Sequence, residues 1–127
     1  MFEVSVEETF AAGHALRGYK GKCENPHGHN YRLRVVLEGM ELDSIGLLFD
    51  FKDLKQIIHG AVDRLDHQFL NDLSPFDVLN PSAENLARYI YEEGERLLAE
   101  KRLENGVRVK AVTVWETDTT TATYSKD

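Results

Sequence analysis

The sequence predicts an α+β fold with the order strand, strand, helix, helix, strand, strand: a four-stranded antiparallel sheet with two helices on one face. Three observations carry that expectation. Both ends of the chain alternate apolar and polar residues, the middle carries apolar stripes of helical period, and cap or turn residues stand at the joins.

Residues 2–10 place Phe2, Val4 and Val6 on one side and Glu3, Ser5 and Glu7 on the other, the pattern of a half-buried strand. Residues 30–38 repeat it, with Tyr31, Leu33, Val35 and Leu37 facing one way and Arg32, Arg34 and Glu38 the other. A long Gly- and Lys-rich connection, residues 13–28, joins the two strands. From Asp50, a good N-cap residue, the stripe Phe51, Leu54, Ile57, Ile58, Ala61, Val62 and Leu65 predicts the first helix. Asn80-Pro81-Ser82 announces the second, with proline in its first turn; its stripe is Leu86, Tyr89, Ile90 and Leu97, and Asn105-Gly106 closes it. Alternation returns in Val107, Val109, Ala111, Thr113 and Trp115, and again in the Thr-rich segment 119–124, with the turn at Asp118. The chain reads as one domain over residues 1–127, without repeat or linker.

Twenty-two acidic and fifteen basic residues give a formal charge of −7, which supplies no general attraction for nucleic acid or an anionic membrane. With Cys23 as the single cysteine, no intrachain disulfide can form, which suits a reducing compartment. The N-terminus has no basic patch followed by an apolar run, and no stretch approaches the ~20 apolar residues that span a bilayer, so the protein reads as cytoplasmic.

The densest chemistry is Cys23-Glu24-Asn25-Pro26-His27-Gly28-His29-Asn30-Tyr31. In extended backbone His27 and His29 point to the same side, and pairing of the first two strands returns His14 to the same end of the sheet. Three imidazoles with a fourth position left open is the arrangement of a catalytic zinc site. Two further points admit two readings each. Asp66-His67 is either a carboxylate-oriented general acid–base or a helix C-terminal histidine beside a solvated aspartate. Glu116 either accepts a pair of hydrogen bonds from a guanidine-like ligand edge or is an ordinary strand-end glutamate. Cys23 alone reads equally as a small buried hydrophobe. Arg17, Lys20 and Lys22 gather positive charge in the connection, where they are candidates for an anionic group.

Together these residues resemble the 6-pyruvoyl-tetrahydropterin synthase family across essentially the whole chain. The elements are Phe10-Ala11-Ala12-Gly13-His14, Cys23-x-x-x-His27-Gly28-His29-Asn30-Tyr31, Gly46-Leu47-Leu48-Phe49-Asp50-Phe51, Leu65-Asp66-His67, Asn80-Pro81-Ser82-Ala83-Glu84-Asn85 and Trp115-Glu116-Thr117. The three residues between Cys23 and His27 look like the bacterial carboxypterin branch, the 6-carboxy-5,6,7,8-tetrahydropterin synthases of queuosine biosynthesis. Ser82 stands where many relatives have threonine and keeps the hydroxyl. The resemblance implies the tunnelling (T-) fold, assembled as trimers stacked into a homohexamer with active sites between subunits. It implies Zn2+ on His14, His27 and His29, Cys23 as the proton-abstracting thiolate, and Asp66 and His67 as a proton-transfer pair from a neighbouring subunit. Glu116 would anchor the pterin ring of 7,8-dihydroneopterin triphosphate. A pyruvoyl-pterin product and a non-catalytic pterin- or metal-binding oligomer are the alternatives.

Overall fold

The alternating segments form strands, and both run further than their apolar patterns: β1 spans Phe2–His14 and β2 spans His27–Gly39. A computed structural model describes the backbone of residues 1–127 and every side chain except that of Cys23. After β2 come α1 (Phe51–Val62), the two-residue β3 (Gln68–Phe69), α2 (Ala83–Ala99), β4 (Arg108–Thr117) and β5 (Thr120–Tyr124).

The sheet has five strands in the order β3-β1-β2-β4-β5, not four. The additional strand pairs parallel to β1, Gln68 against Ala12 and Phe69 against Gly13, whereas all other neighbours are antiparallel. A strand of two residues has no periodicity to read, so only its placement along β1 reveals it. No helix is long and apolar enough to cross a membrane.

Both helices begin where cap chemistry places them. Asp50 accepts the Lys52 N–H at 2.7 Å, and Ser82 accepts the Asn85 N–H at 3.1 Å, each satisfying one of the free donors of a first turn. Ser82 is therefore the N-cap, and Pro81 precedes the helix instead of opening it. Helix α2 also ends earlier than Asn105-Gly106, at Ala99; Gly106, at φ +72°, serves the turn into β4.

One hydrophobic core lies between the helices and the inward face of the sheet. Leu54, Ile58 and Leu65 come from α1 and its exit, Leu86 and Ile90 from α2, and Phe10, Tyr31, Leu33, Val35, Val112 and Val114 from the strands. On β4 the inward set changes phase. Leu37 pairs with Val109 but Val36 pairs with Ala111, so Lys110 is an extra residue, a β-bulge. Unbroken alternation puts Val109, Ala111, Thr113 and Trp115 on one face. With the bulge, Val109, Val112 and Val114 are buried together while Trp115 turns outward beneath the Arg32 guanidinium, 4.0 Å from the ring centre.

Leu33 is fully buried at the middle of the sheet. Leu33→Ala is expected to destabilise the protein by about 2–5 kcal/mol in denaturant unfolding, and a loss below about 1 kcal/mol would contradict its place in the core.

Candidate metal centre and active site

His14 closes β1 and His27 opens β2, and the register sets them directly opposite one another; His29 lies opposite Ala12. All three belong to the inward set, and the small Ala12 side chain leaves room for the His29 ring. The ligands thus stand on paired strands rather than in the connection, which shortens to residues 15–26. One nitrogen from each of the three lies within 4.8 Å of the others, a group that could hold a metal ion. Strand-borne ligands are held more rigidly than loop-borne ones.

The hydrogen bonds around the rings fix their tautomers. His14 Nδ1 donates to the Pro81 carbonyl at 2.7 Å, and His27 Nδ1 donates to the Asn25 carbonyl at 2.7 Å. Each neutral ring then directs an Nε2 lone pair towards the centre of the group. His14 Nε2 and His27 Nε2 are 2.9 Å apart, and two lone pairs at that distance repel unless a positive charge is shared between them. His29 Nε2 is buried and, among the described residues, has no hydrogen-bond partner. Three basic nitrogens converging in this way are the donor set of a divalent cation of the zinc class, and the residues present fit one.

Glu116 completes the cluster. Its Oε1 lies 3.2 Å from His14 Nε2 and 3.6 Å from His29 Nε2, and its side chain is partly exposed. The β4 bulge decides this: the extra residue turns Glu116 inward to the face that carries the histidines. Burial is the principal reason that His14 and His29 both titrate below the ordinary imidazole range, with the Glu116 carboxylate opposing it. Burial prevails, and the lowered titration serves a ligand site, since metal binds the neutral ring.

Beneath the rings lies Tyr31, which sequence reasoning assigned only to the core. It is fully buried, stacks on Phe10 at 5.0 Å and brings its hydroxyl to 3.1 Å from His14 Nδ1. Burial holds its phenol well above the usual tyrosine range, so it stays a neutral hydrogen-bonding group. The Pro81 carbonyl was equally unforeseen, because a backbone acceptor has no signature in residue identity.

Asp66 and His67 do come together, with His67 Nδ1 3.1 Å from Asp66 Oδ1. The His67 backbone is left-handed, φ +59°, and its N–H donates to the Ala11 carbonyl at 2.6 Å while Asp66 Oδ1 accepts the Ala11 N–H at 2.9 Å. The Ala11 N–H, followed by His67, holds the Asp66 carboxyl below its usual range. The pair does not join the three histidines. Its ring is 80% exposed and lines a cleft of about 490 Å³ that also touches Ala11, Gly28, Asn30 and His29, one of the three histidines. Arg17 is engaged as well: its guanidinium donates to the carbonyls of Phe76 and Leu79, each at 2.8 Å, instead of standing free for an anion. The expected role of Cys23 falls on a side chain outside the described residues.

A sheet backed by two helices, with three histidines converging at one end of its central strand pair, defines an α+β protein with a candidate metal centre. The match to known sequences is more specific. The 6-pyruvoyl tetrahydropterin synthase family matches residues 3–127, and the chain belongs to that family. It is 32% identical to the 6-carboxy-5,6,7,8-tetrahydropterin synthase of Haemophilus influenzae over 149 aligned positions, covering 99% of this chain and 100% of that protein. It is 36% identical over 108 positions to the dihydroneopterin monophosphate aldolase of Pyrococcus furiosus, covering 85% and 83%. Among solved structures it superposes on Caenorhabditis elegans 6-pyruvoyl tetrahydropterin synthase with a TM-score of 0.82 at 29% identity, covering 100% and 98% of the two chains.

The lowered titration of His14 and His29 has a stability consequence. The unfolded chain takes up protons at these positions at higher pH than the folded one, so folding stability is complete above about pH 6.5 and declines as the pH falls below it. The thermal midpoint of the metal-free protein is therefore expected to drop between pH 7 and pH 5. A midpoint that stays level, or rises, over that range would contradict the burial of these two neutral rings.

Proposed function

We propose that this protein is a zinc-dependent 6-carboxy-5,6,7,8-tetrahydropterin synthase, converting 7,8-dihydroneopterin triphosphate and one water to 6-carboxy-tetrahydropterin, acetaldehyde and triphosphate in the queuosine pathway. The convergence of His14, His27 and His29 on one point, in a chain of this family, carries the reading. Similarity to the Haemophilus influenzae protein over both full lengths supports the carboxypterin branch.

Zinc bound by these histidines would act as a Lewis acid toward the hydroxyls of the substrate side chain. The remaining steps belong to side chains. Cys23 removes a proton from the side-chain carbon, a task for a thiolate whose pKa is depressed by nearby positive charge. His67, held in orientation by Asp66, carries the proton transfer on the opposite face. Glu116, partly exposed at the rim of the cluster, accepts the N–H pair of the pterin ring, which requires its carboxylate to turn from the imidazoles to the substrate. Lys20 and Lys22 supply positive charge for the triphosphate, since the Arg17 guanidinium engages backbone carbonyls.

The three histidines form one cluster and Asp66-His67 stands outside it, although His67 and His29 line the same cleft. The reading includes an interfacial site in a homohexamer, in which the metal of one subunit is served by the proton-transfer pair of another; membership of the family is its support. The second reading, release of a 6-pyruvoyl-tetrahydropterin with the side chain retained, is favoured by the likeness to the nematode enzyme.

Incubation of the zinc-loaded protein with 7,8-dihydroneopterin triphosphate is expected to release acetaldehyde and triphosphate in equal amounts. Triphosphate without acetaldehyde would establish the pyruvoyl product instead, and neither product would leave a binding protein. Cys23→Ala and His67→Ala are each expected to lose at least about 10²-fold in turnover while retaining zinc. Mixed and reassembled, the two variants should regain part of the activity, because some interfaces then combine an intact Cys23 with an intact His67. Failure to recover activity in the mixture would place both residues in one subunit's site.

A further inference from the structure

Strand β1 has β2 along one edge, and residues 66–80 follow its other edge well past the end of their own ladder. Asp66 and His67 bond the Ala11 backbone, and β3 pairs with Ala12 and Gly13. Beyond Phe69 the backbone turns away, and two side-chain amides continue the pairing. Asn71 accepts the Ala15 N–H at 2.9 Å and donates to the Ala15 carbonyl at 2.8 Å. Asn80 does the same at Arg17, with both bonds 2.9 Å. Each amide takes the donor and the acceptor of one residue, as the next rung of a β-ladder would.

Arg17 answers from its side with its guanidinium on the Phe76 and Leu79 carbonyls, and Asn85 Nδ2 holds the Asn80 carbonyl at 2.9 Å. The segment entering α2 is thus tied to the segment leaving β1 through side chains from both. Next to these ties lies the hydrogen bond from His14 Nδ1 to the Pro81 carbonyl, which links residues sixty-seven apart in sequence. Pro81 directly follows Asn80, and His14 directly precedes Ala15, so one amide rung adjoins this bond on each chain segment.

We propose that Asn71, Asn80 and Arg17 form a clamp that positions the Pro81 carbonyl against His14, so that His14 presents Nε2 to a metal ion before the ion arrives. The proposal rests on the metal-binding reading of the three histidines. The clamp residues touch neither substrate nor metal; they are positioning residues. A single hydrogen bond at a partly exposed site adds little to folding. The partners that orient a metal ligand, by contrast, typically change metal affinity by about 10–100-fold. The second effect separates a clamp serving the metal from one that merely joins two loops.

The test titrates metal-free protein with Co2+ against a competing chelator and follows the visible ligand-field absorption of the bound ion. Asn80→Ala and Arg17→Ala are each expected to weaken Co2+ binding by about tenfold or more. Tyr91→Phe serves as the reference: it removes a bond of 3.0 Å to the Val109 carbonyl on the far side of the core, and should lower the thermal midpoint while leaving Co2+ affinity at the wild-type value. Wild-type affinity and absorption in both clamp variants would overturn the proposal. So would an affinity loss that tracks the thermal midpoint across all three variants. Should Asn80→Ala not fold, Arg17→Ala, which keeps both backbone bonds to Asn80, decides on the same criterion. A wild-type protein that takes up no Co2+ at all overturns the metal reading and the clamp together, whereas metal uptake with unaltered clamp variants overturns the clamp alone.

Discussion

The antiparallel register of β1 on β2 is the constraint on which the rest depends. It sets His14 opposite His27 and the small Ala12 opposite His29, and so brings three imidazoles from two strands to one end of the core. A slip of one residue would send the ligands of one strand to the opposite face. The apolar partners in the same ladder hold it against such a slip, because Val6, Phe10, Leu33, Val35 and Leu37 would lose their burial with it. Metal site and hydrophobic core are therefore specified by the same pairing.

The site is electrostatically unfinished by itself. Carbonyls of Pro81 and Asn25 take the Nδ1 protons, which leaves Nε2 lone pairs crowding one another and facing a carboxylate. Net repulsion of this sort marks a place organised for a cation, and the fold rather than the local interaction maintains it. Rigid backing from the sheet, from Tyr31 beneath and from the segment entering α2 keeps the rings converged.

Irregularities in the sheet do as much as its regular parts. The extra residue on β4 turns Glu116 to the histidine face and Trp115 to the other. The short parallel β3 seals the outer edge of β1 and sets His67 in a left-handed backbone beside Ala11. The acid–base pair then borders a cleft that His29, one of the candidate metal ligands, also lines.

Residue pattern alone determined the α+β class, the two helices with Asp50 at the start of the first, the four long strands and the three histidines as a candidate ligand set. These depend on local periodicity, cap chemistry and the i, i+2 geometry of an extended chain, which a sequence states directly. Tertiary structure alone decided the fifth strand, the bulge that delivers Glu116, the placement of Asp66-His67 beside Ala11 and the engagement of Arg17. It also supplied the Pro81 carbonyl and the Asn71 and Asn80 rungs. Each of those rests on a contact between segments far apart in the chain or on a backbone atom that every residue possesses, and neither leaves a periodic trace in residue identity.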